Sequence, residues 1–82
     1  MTLKKTRSVS LTGIVIPTEW NEDQQVVAVA LATPDEKEYR IAANRKGKEL
    51  LGTLQRQIEV TGLLGIDQKG RAVMTVRRYI VK

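Results

Sequence analysis

The sequence contains no cysteine, no histidine and no phenylalanine. Without cysteine and histidine the chain has no disulfides, no thiolate nucleophile and none of the usual ligands of zinc and haem. General acid–base chemistry is left to Asp, Glu, Lys and Tyr. The sequence also contains neither an EF-hand loop nor a P-loop. We therefore expect a protein that is not an enzyme, with no catalytic residues, no metal site and no cofactor.

Long apolar segments are missing as well. No stretch approaches the roughly 20 apolar residues that a membrane-spanning helix needs. The N-terminal MTLKKTRSVS lacks the apolar run of a signal peptide. These absences predict a cytoplasmic protein with no membrane partner. A chain of 82 residues, 41% of them apolar, has room for one core. We expect one domain over residues 1–82, with residues 1–6 as a flexible tail.

The net charge of +5 is distributed unevenly along the chain. Residues 17–38 contain six acidic side chains and one lysine, whereas residues 39–82 contain ten basic side chains and three acidic ones. A polyanionic partner is therefore expected to bind the basic segment, residues 39–82, and to be repelled by the acidic segment, residues 17–38.

The hydrophobic pattern predicts five strands and one helix. Period-two alternation or β-branched content indicates strands at residues 7–16, 25–32, 38–43, 56–66 and 71–81. Pro17 is expected to end the first strand. Leucines at helical spacing in NRKGKELLGTLQ, with Asn44 as a candidate N-cap, predict a short helix after the third strand. This order is the plan of the OB-fold, an all-β, five-stranded Greek-key barrel with one helix between strands 3 and 4.

Four segments carry a resemblance to a known group of proteins. These are GIVI in the first strand, NRKGKELLGTL in the helix, QIEVTGLLG in the fourth strand and VRRYIV in the fifth. Over residues 8–81 the chain resembles small stand-alone bacterial OB-fold proteins. Because these are fold motifs and not active-site motifs, the resemblance implies the barrel and a bacterial source.

The segment IDQKGRA predicts a hairpin between the last two strands. A four-residue loop would pair Ile66 with Arg71, and the apolar face of the fourth strand would then lie beside the more polar face of the fifth. A three-residue loop, with Asp67 opposite Arg71, makes the inner face apolar, so burial favours this register. It also requires Gly70 to adopt a positive φ, as in a type I turn followed by a G1 bulge. We expect an exposed Asp67–Arg71 pair at the turn.

The same register assigns a face to each side chain of the fifth strand. It pairs Ile58 with Ile80 on the inner face, and it leaves Arg78 there as a misfit, expected at the barrel rim. Arg71, Arg77 and Tyr79 take the outer face. In an OB barrel the third strand neighbours the fifth, so Arg40 should lie on the same outward surface.

Single-stranded nucleic acid is the leading ligand class for such a surface. OB-folds that bind single strands place basic side chains along the phosphate backbone of the nucleic acid and aromatic side chains where they stack on its bases. The candidate binding residues are Trp20, Arg40, Lys69, Arg71, Arg77 and Tyr79, with further cations at Arg45, Lys46 and Lys48 around the helix start. Trp20 either stacks on a base or closes one end of the barrel as a lid. We expect weak, salt-sensitive and sequence-tolerant binding.

A protein-interaction or self-association module is the alternative. In the second strand Ala28, Ala30 and Ala32 share the outer face with Val26, and this face offers no stacking platform. A flat apolar strand face can mark an interface with a protein partner or a second copy.

Overall fold

The computed structural model of the chain describes residues 7–82, so the predicted flexible tail at residues 1–6 lies outside the described residues. The strands are β1 (Arg7–Trp20), β2 (Val26–Ala32), β3 (Glu38–Ile41), β4 (Gln57–Ile66) and β5 (Ala72–Val81). The helix α1 (Arg45–Glu49) continues as a 3-10 turn, Leu50–Thr53. The strands close into a barrel in the order β1-β2-β3-β5-β4. The prediction of a five-stranded OB-fold-like barrel with one short helix between β3 and β4 is confirmed.

The core is aliphatic, as expected from a chain without phenylalanine. Its fully buried members are Val15, Val29, Leu31, Leu50, Ile58, Val60, Met74 and Val76. All but Leu50 come from strands, so the turn after α1 adds one leucine to a core built by the barrel wall. Because nearly all of the core lies between strands, the short helix is held by packing and capping and not by its own propensity.

The Asn44 side chain fixes the position of α1 through two hydrogen bonds, one at its oxygen and one at its nitrogen. Its side-chain oxygen accepts a hydrogen bond from the Gly47 amide at 2.8 Å, which confirms the predicted N-cap. Its side-chain nitrogen donates to the Val76 carbonyl at 3.1 Å. One side chain therefore caps the helix and ties it to β5.

The expectation that Pro17 ends the first strand is wrong, because β1 continues to Trp20. Pro17 pairs with Val29 of β2, and the register of β1 against β2 shifts on both sides of Glu19. The Val15 amide donates to the Arg56 carbonyl, on the β4 side of the strand. Alternate residues of a strand direct their amides to the same side, so a residue at position 17 would also direct its N–H toward β4. The β1–β4 pairing does not extend that far, so the N–H that Pro17 lacks would have had no partner in the ladder. A proline is tolerated at such an edge.

The hairpin between β4 and β5 has the predicted three-residue turn. The Asp67 amide donates to the Arg71 carbonyl at 2.9 Å, and the Gly70 amide donates to the Asp67 carbonyl at 3.0 Å. Gly70 has a φ of 80°, which confirms the predicted left-handed conformation. Ile66 pairs with Ala72, and Leu64 pairs with Met74, as the apolar register required.

Farther along this hairpin the register changes, and two predictions fail. The pairing shifts between Thr61 and Gly62, so that Tyr79 lies opposite Val60 and Arg78 lies opposite Thr61. Arg77 is the extra residue of this bulge. The predicted pairing of Ile58 with Ile80 is therefore wrong, and so is the inward placement of Arg78.

Gly62 provides the physical reason for the bulge. A Cβ atom at this position would lie 2.0 Å from the Thr75 carbonyl oxygen and 3.1 Å from the Arg77 nitrogen. The β5 backbone thus lies closer to Gly62 than a residue with a Cβ atom would allow. We attribute the bulge at Arg77 to this close approach, since glycines within strands often mark such bulges.

Candidate functional site

Two of the predicted binding residues lie together but are already paired with acids. Arg40 pairs with Val73 across the β3–β5 ladder, two residues along β5 from Arg71. Arg40 forms an ion pair with Glu19 at 3.0 Å, and Arg71 forms one with Asp67 at 2.9 Å. A phosphate would have to compete with a carboxylate at each of these cations.

The Arg40–Glu19 ion pair also covers the alanine stripe of β2. Arg40 lies opposite Ala30, and Glu19 lies opposite Ala28, so the pair reaches from β3 to β1 across β2. Ala30 is only 1% exposed. The expected open alanine face is wrong at its centre, because alanine is small enough for a longer side chain to cross it.

Arg77 and Tyr79 lie at the opposite end of β5. Tyr79 comes eight positions after Arg71 in the sequence, a distance of about 26 Å in an extended chain. The bulge turns Tyr79 toward the core, against which it packs half-buried. Its predicted place on the outer face is therefore wrong, whereas Arg77 is exposed.

Tyr79 is held by the helix. Its hydroxyl donates to the Glu49 carboxylate at 2.9 Å, and Lys46 Nζ lies 5.9 Å from the centre of its ring. The hydrogen bond to Glu49, followed by desolvation, raises the pKa of Tyr79 above its ordinary value. Because its hydroxyl and one ring face are engaged, Tyr79 links α1 to β5 and is poorly placed to stack on a base.

Trp20 does not close the barrel. Its side chain is 53% exposed, and it is not among the residues packed against the core. It precedes the turn at residues 21–25, where the Asn21 side-chain oxygen accepts the amides of Asp23 and Gln25. The stacking alternative for Trp20 is therefore sterically open.

Lys69 occupies the tip of the hairpin turn, where its side chain is exposed. Its amide and that of Arg71 both donate to Asp67 Oδ1, at 2.8 and 2.9 Å. These contacts, led by the Arg71 amide, lower the pKa of Asp67 below its ordinary value. Asp67 is thus held ionised directly beside Lys69 and Arg71, which weakens this turn as a phosphate site.

The densest positive charge gathers around α1 and the second half of β5, a surface that we name the helix end and define as residues 44–59 and 76–82. The acidic turn at residues 21–25, with Glu22 and Asp23, lies at the same end of the barrel but outside this surface. Its basic side chains are Arg45, Lys46, Lys48, Arg56, Arg77, Arg78 and Lys82. Its two acids are already paired, Glu49 with Lys46 and Tyr79, and Glu59 with Lys82. Among the described residues, Arg45, Lys48, Arg56, Arg77 and Arg78 have no acidic partner in an ion pair.

The opposite end, which we name the hairpin end, comprises residues 33–40 and 66–71. Its basic side chains are Lys37, Arg40, Lys69 and Arg71, and its acidic side chains are Asp35, Glu36, Glu38 and Asp67. Positive and negative charges are equal in number here. The predicted site residues are therefore divided, with Arg40, Lys69 and Arg71 at the balanced end and Arg77 and Tyr79 at the basic end.

An apolar groove of about 190 Å³ lies beside the helix end. It separates the first half of β2 from the segment between β3 and α1, and its walls include Val27, Val29, Ile41 and Leu51. Lys48 is the charged residue of its lining. Trp20 pairs with Val26, another residue of the lining, so the exposed indole stands next to this groove.

Sequence reasoning noted the cations around the helix start but did not join them to Arg77 and Arg78. The contacts that join them are the Asn44–Val76 hydrogen bond and the packing of Tyr79 under α1. The signal available in the sequence was weak. Arg78 did not fit its assigned face, and a misfit of this kind can indicate a bulge.

Comparison of the chain with protein-family models, with characterised proteins and with solved structures finds no match. Among residues 7–82 no group of three potential metal ligands is brought together. No helix within the described range is long and apolar enough to cross a membrane.

Proposed function

We propose that the protein is a non-catalytic binding module that holds single-stranded nucleic acid at the helix end of its barrel. The binding is weak, sequence-tolerant and sensitive to salt. The contact surface includes Arg77 and Trp20 but neither Arg40 nor Arg71.

The observation that supports this proposal is the local excess of positive charge at the helix end. Seven basic side chains stand there against two acids that already have partners. Unpaired surface cations can neutralise phosphates and release counterions, which supplies most of the free energy of non-specific binding. The cations at the hairpin end, by contrast, stand among an equal number of carboxylates.

Trp20 supports a single strand over a duplex. An exposed aromatic ring can stack on an unpaired base, which contributes about 1–3 kcal/mol, whereas the bases of a duplex are already stacked. The acids Glu22 and Asp23 lie two and three residues after Trp20. They repel phosphate, so a bound strand would run from Trp20 across Lys48 toward Arg77 and not toward the turn.

A fluorescence anisotropy titration with a labelled oligothymidylate of twenty nucleotides tests this function. We expect a dissociation constant of about 10⁻⁴ to 10⁻⁶ M near physiological salt, and binding at least tenfold weaker when NaCl rises from about 50 to about 200 mM. Trp20→Ala should weaken binding of the single strand about fivefold or more, with a smaller effect on a duplex of the same length.

Two results would count against the proposal. One is the absence of binding at about 100 μM protein in low salt, which lies within the range of non-specific affinities. The other is an equal loss of affinity for the single strand and for the duplex in the Trp20→Ala variant, which would show that Trp20 does not stack on an unpaired base.

A further inference from the structure

We infer that the apolar groove between β2 and α1 binds an extended segment of a partner protein, with aliphatic side chains in the groove and an acidic side chain next to Lys48. The apolar groove lies beside the proposed nucleic-acid path and shares Lys48 with it, so a bound peptide and a bound strand would compete for that lysine.

The first support is the unfinished pairing of β2. The strand runs from Val26 to Ala32, but only Ala30–Ala32 pair with β3. Among the described residues, Val26–Ala28 therefore have no strand partner on the side away from β1. An unpaired strand edge beside a groove accepts an added strand by main-chain hydrogen bonds, with pockets for alternate side chains.

The second support is the lining of the groove. Val29 is buried at its base, while Val27 at its margin is 49% exposed. Ile41 and Leu51 form the opposite wall, and four small residues leave room between the walls: Ala28, Ala42, Ala43 and Gly47. The groove offers apolar walls and few polar partners, which favours an aliphatic side chain over a nucleobase with its polar edges.

Charge complementarity favours an acidic side chain of the partner on the α1 side of the groove, whereas Glu22 and Asp23 precede β2 on the other side. Lys48 is exposed, contributes to the lining and has no acidic partner among the described residues. Arg45 stands one helical turn earlier. A carboxylate of the incoming segment would meet this corner and fix the direction in which the segment lies.

The same charges argue against a second copy of this chain as the occupant. A two-fold contact through the groove would bring two helix ends together, each with a large excess of basic side chains. Repulsion between like charges opposes such a contact. An acidic aliphatic segment from another protein avoids this cost.

Selection from a random heptapeptide library displayed on phage tests the inference. The wild-type protein should enrich peptides with two aliphatic residues in alternation and an adjacent Asp or Glu. In solution, Val27→Ser should bind an enriched peptide about fivefold to tenfold more weakly, since an apolar contact is lost. Val81→Ser changes an exposed valine outside the groove and serves as the matched control, with unchanged affinity expected.

A charge exchange gives the sharper test. Selection against Lys48→Glu should enrich peptides with Lys or Arg in place of the acid, whereas Lys69→Glu at the hairpin end should leave the selected motif unchanged. Thermal unfolding of each variant checks that these surface substitutions leave the fold intact.

Three outcomes would overturn the inference. They are enrichment of no peptide motif, equal affinity of Val27→Ser and wild type for an enriched peptide, and an acidic preference that survives Lys48→Glu. In a parallel titration, Val27→Ser should leave oligothymidylate binding unchanged. If it lowers that binding instead, the groove takes a base and not a peptide.

Discussion

The two ends of the barrel differ in how their charges are compensated. At the hairpin end four basic side chains stand among four acidic ones, and the Asp67–Arg71 ion pair closes the turn. At the helix end seven basic side chains stand against two acids, or against four when Glu22 and Asp23 of the neighbouring turn are included. Both ends contain arginines on or beside β5, so arginine content alone does not distinguish them. The lesson is that local balance, and not the net charge of +5, decides where a polyanion can bind.

The bulge between β4 and β5 and the turn at the hairpin end differ in the reason for their glycines, which leads to the largest expected effect. Gly62→Ala places a Cβ against the Thr75 carbonyl oxygen, a clash with backbone that cannot rotate away. We expect a loss of more than about 3 kcal/mol in the free energy of unfolding, or failure to fold. Gly70→Ala meets no atom and costs about 1–2 kcal/mol for its positive φ.

Urea unfolding followed by circular dichroism measures this difference. Gly52→Ala is the control, since no atom lies within 4 Å of the added Cβ. Its free energy of unfolding should stay within about 0.5 kcal/mol of wild type. If Gly62→Ala is no worse than Gly70→Ala, the close approach that explains the bulge is wrong.

The second prediction compares a leucine at the helix end with an isoleucine at the hairpin end. Leu50 is fully buried in the core, whereas Ile66 is 59% exposed. Leu50→Ala should lower the free energy of unfolding by about 2–5 kcal/mol, because it leaves a cavity in a packed core. Ile66→Ala should cost less than about 1 kcal/mol. Chemical denaturation of both variants checks this, and similar costs would contradict the burial described for the helix end.

The smallest expected effect concerns acid stability at the hairpin end. The pKa of Asp67 lies below its ordinary value of 3.8, chiefly because of the Arg71 amide. The folded state therefore favours the carboxylate, whose stabilisation is complete above the ordinary pKa and is lost as pH falls through the lowered one. Asp67→Asn keeps a side-chain oxygen for the turn but does not titrate.

Thermal unfolding at several pH values between about 6 and about 2 follows this effect. The melting temperature of wild type should fall more steeply in the acidic part of the range than that of Asp67→Asn. Parallel curves would mean that Asp67 does not contribute to acid sensitivity.

Much of the fold could be predicted because it depends on local patterns. Alternation of apolar side chains located the strands, the position of Gly70 specified the turn, and Asn44 marked the start of α1. The failures at Ile58, Arg78 and Tyr79 share a physical cause. The bulge at Arg77 depends on the approach of β5 to Gly62, and alternation along one strand carries no information about such a contact between strands.

The candidate site was harder to predict for the same reason. Nothing in the sequence near Arg40 indicates that Glu19, two strands away, will neutralise it across Ala30. Nor does periodicity show that α1 packs over Tyr79 and brings its own cations beside Arg77. The identity of the charged residues was available from sequence, but their pairing was not.

The most direct test of the central claim is a comparison of two double charge reversals in oligothymidylate binding. Arg77→Glu with Arg78→Glu changes the helix end, and Lys37→Glu with Lys69→Glu changes the hairpin end by the same net charge. Binding in low salt should weaken about tenfold or more for the helix-end pair and less than about twofold for the hairpin-end pair. Equal weakening by the two pairs would show that only net charge matters, and it would contradict the assignment of the helix end as the binding surface.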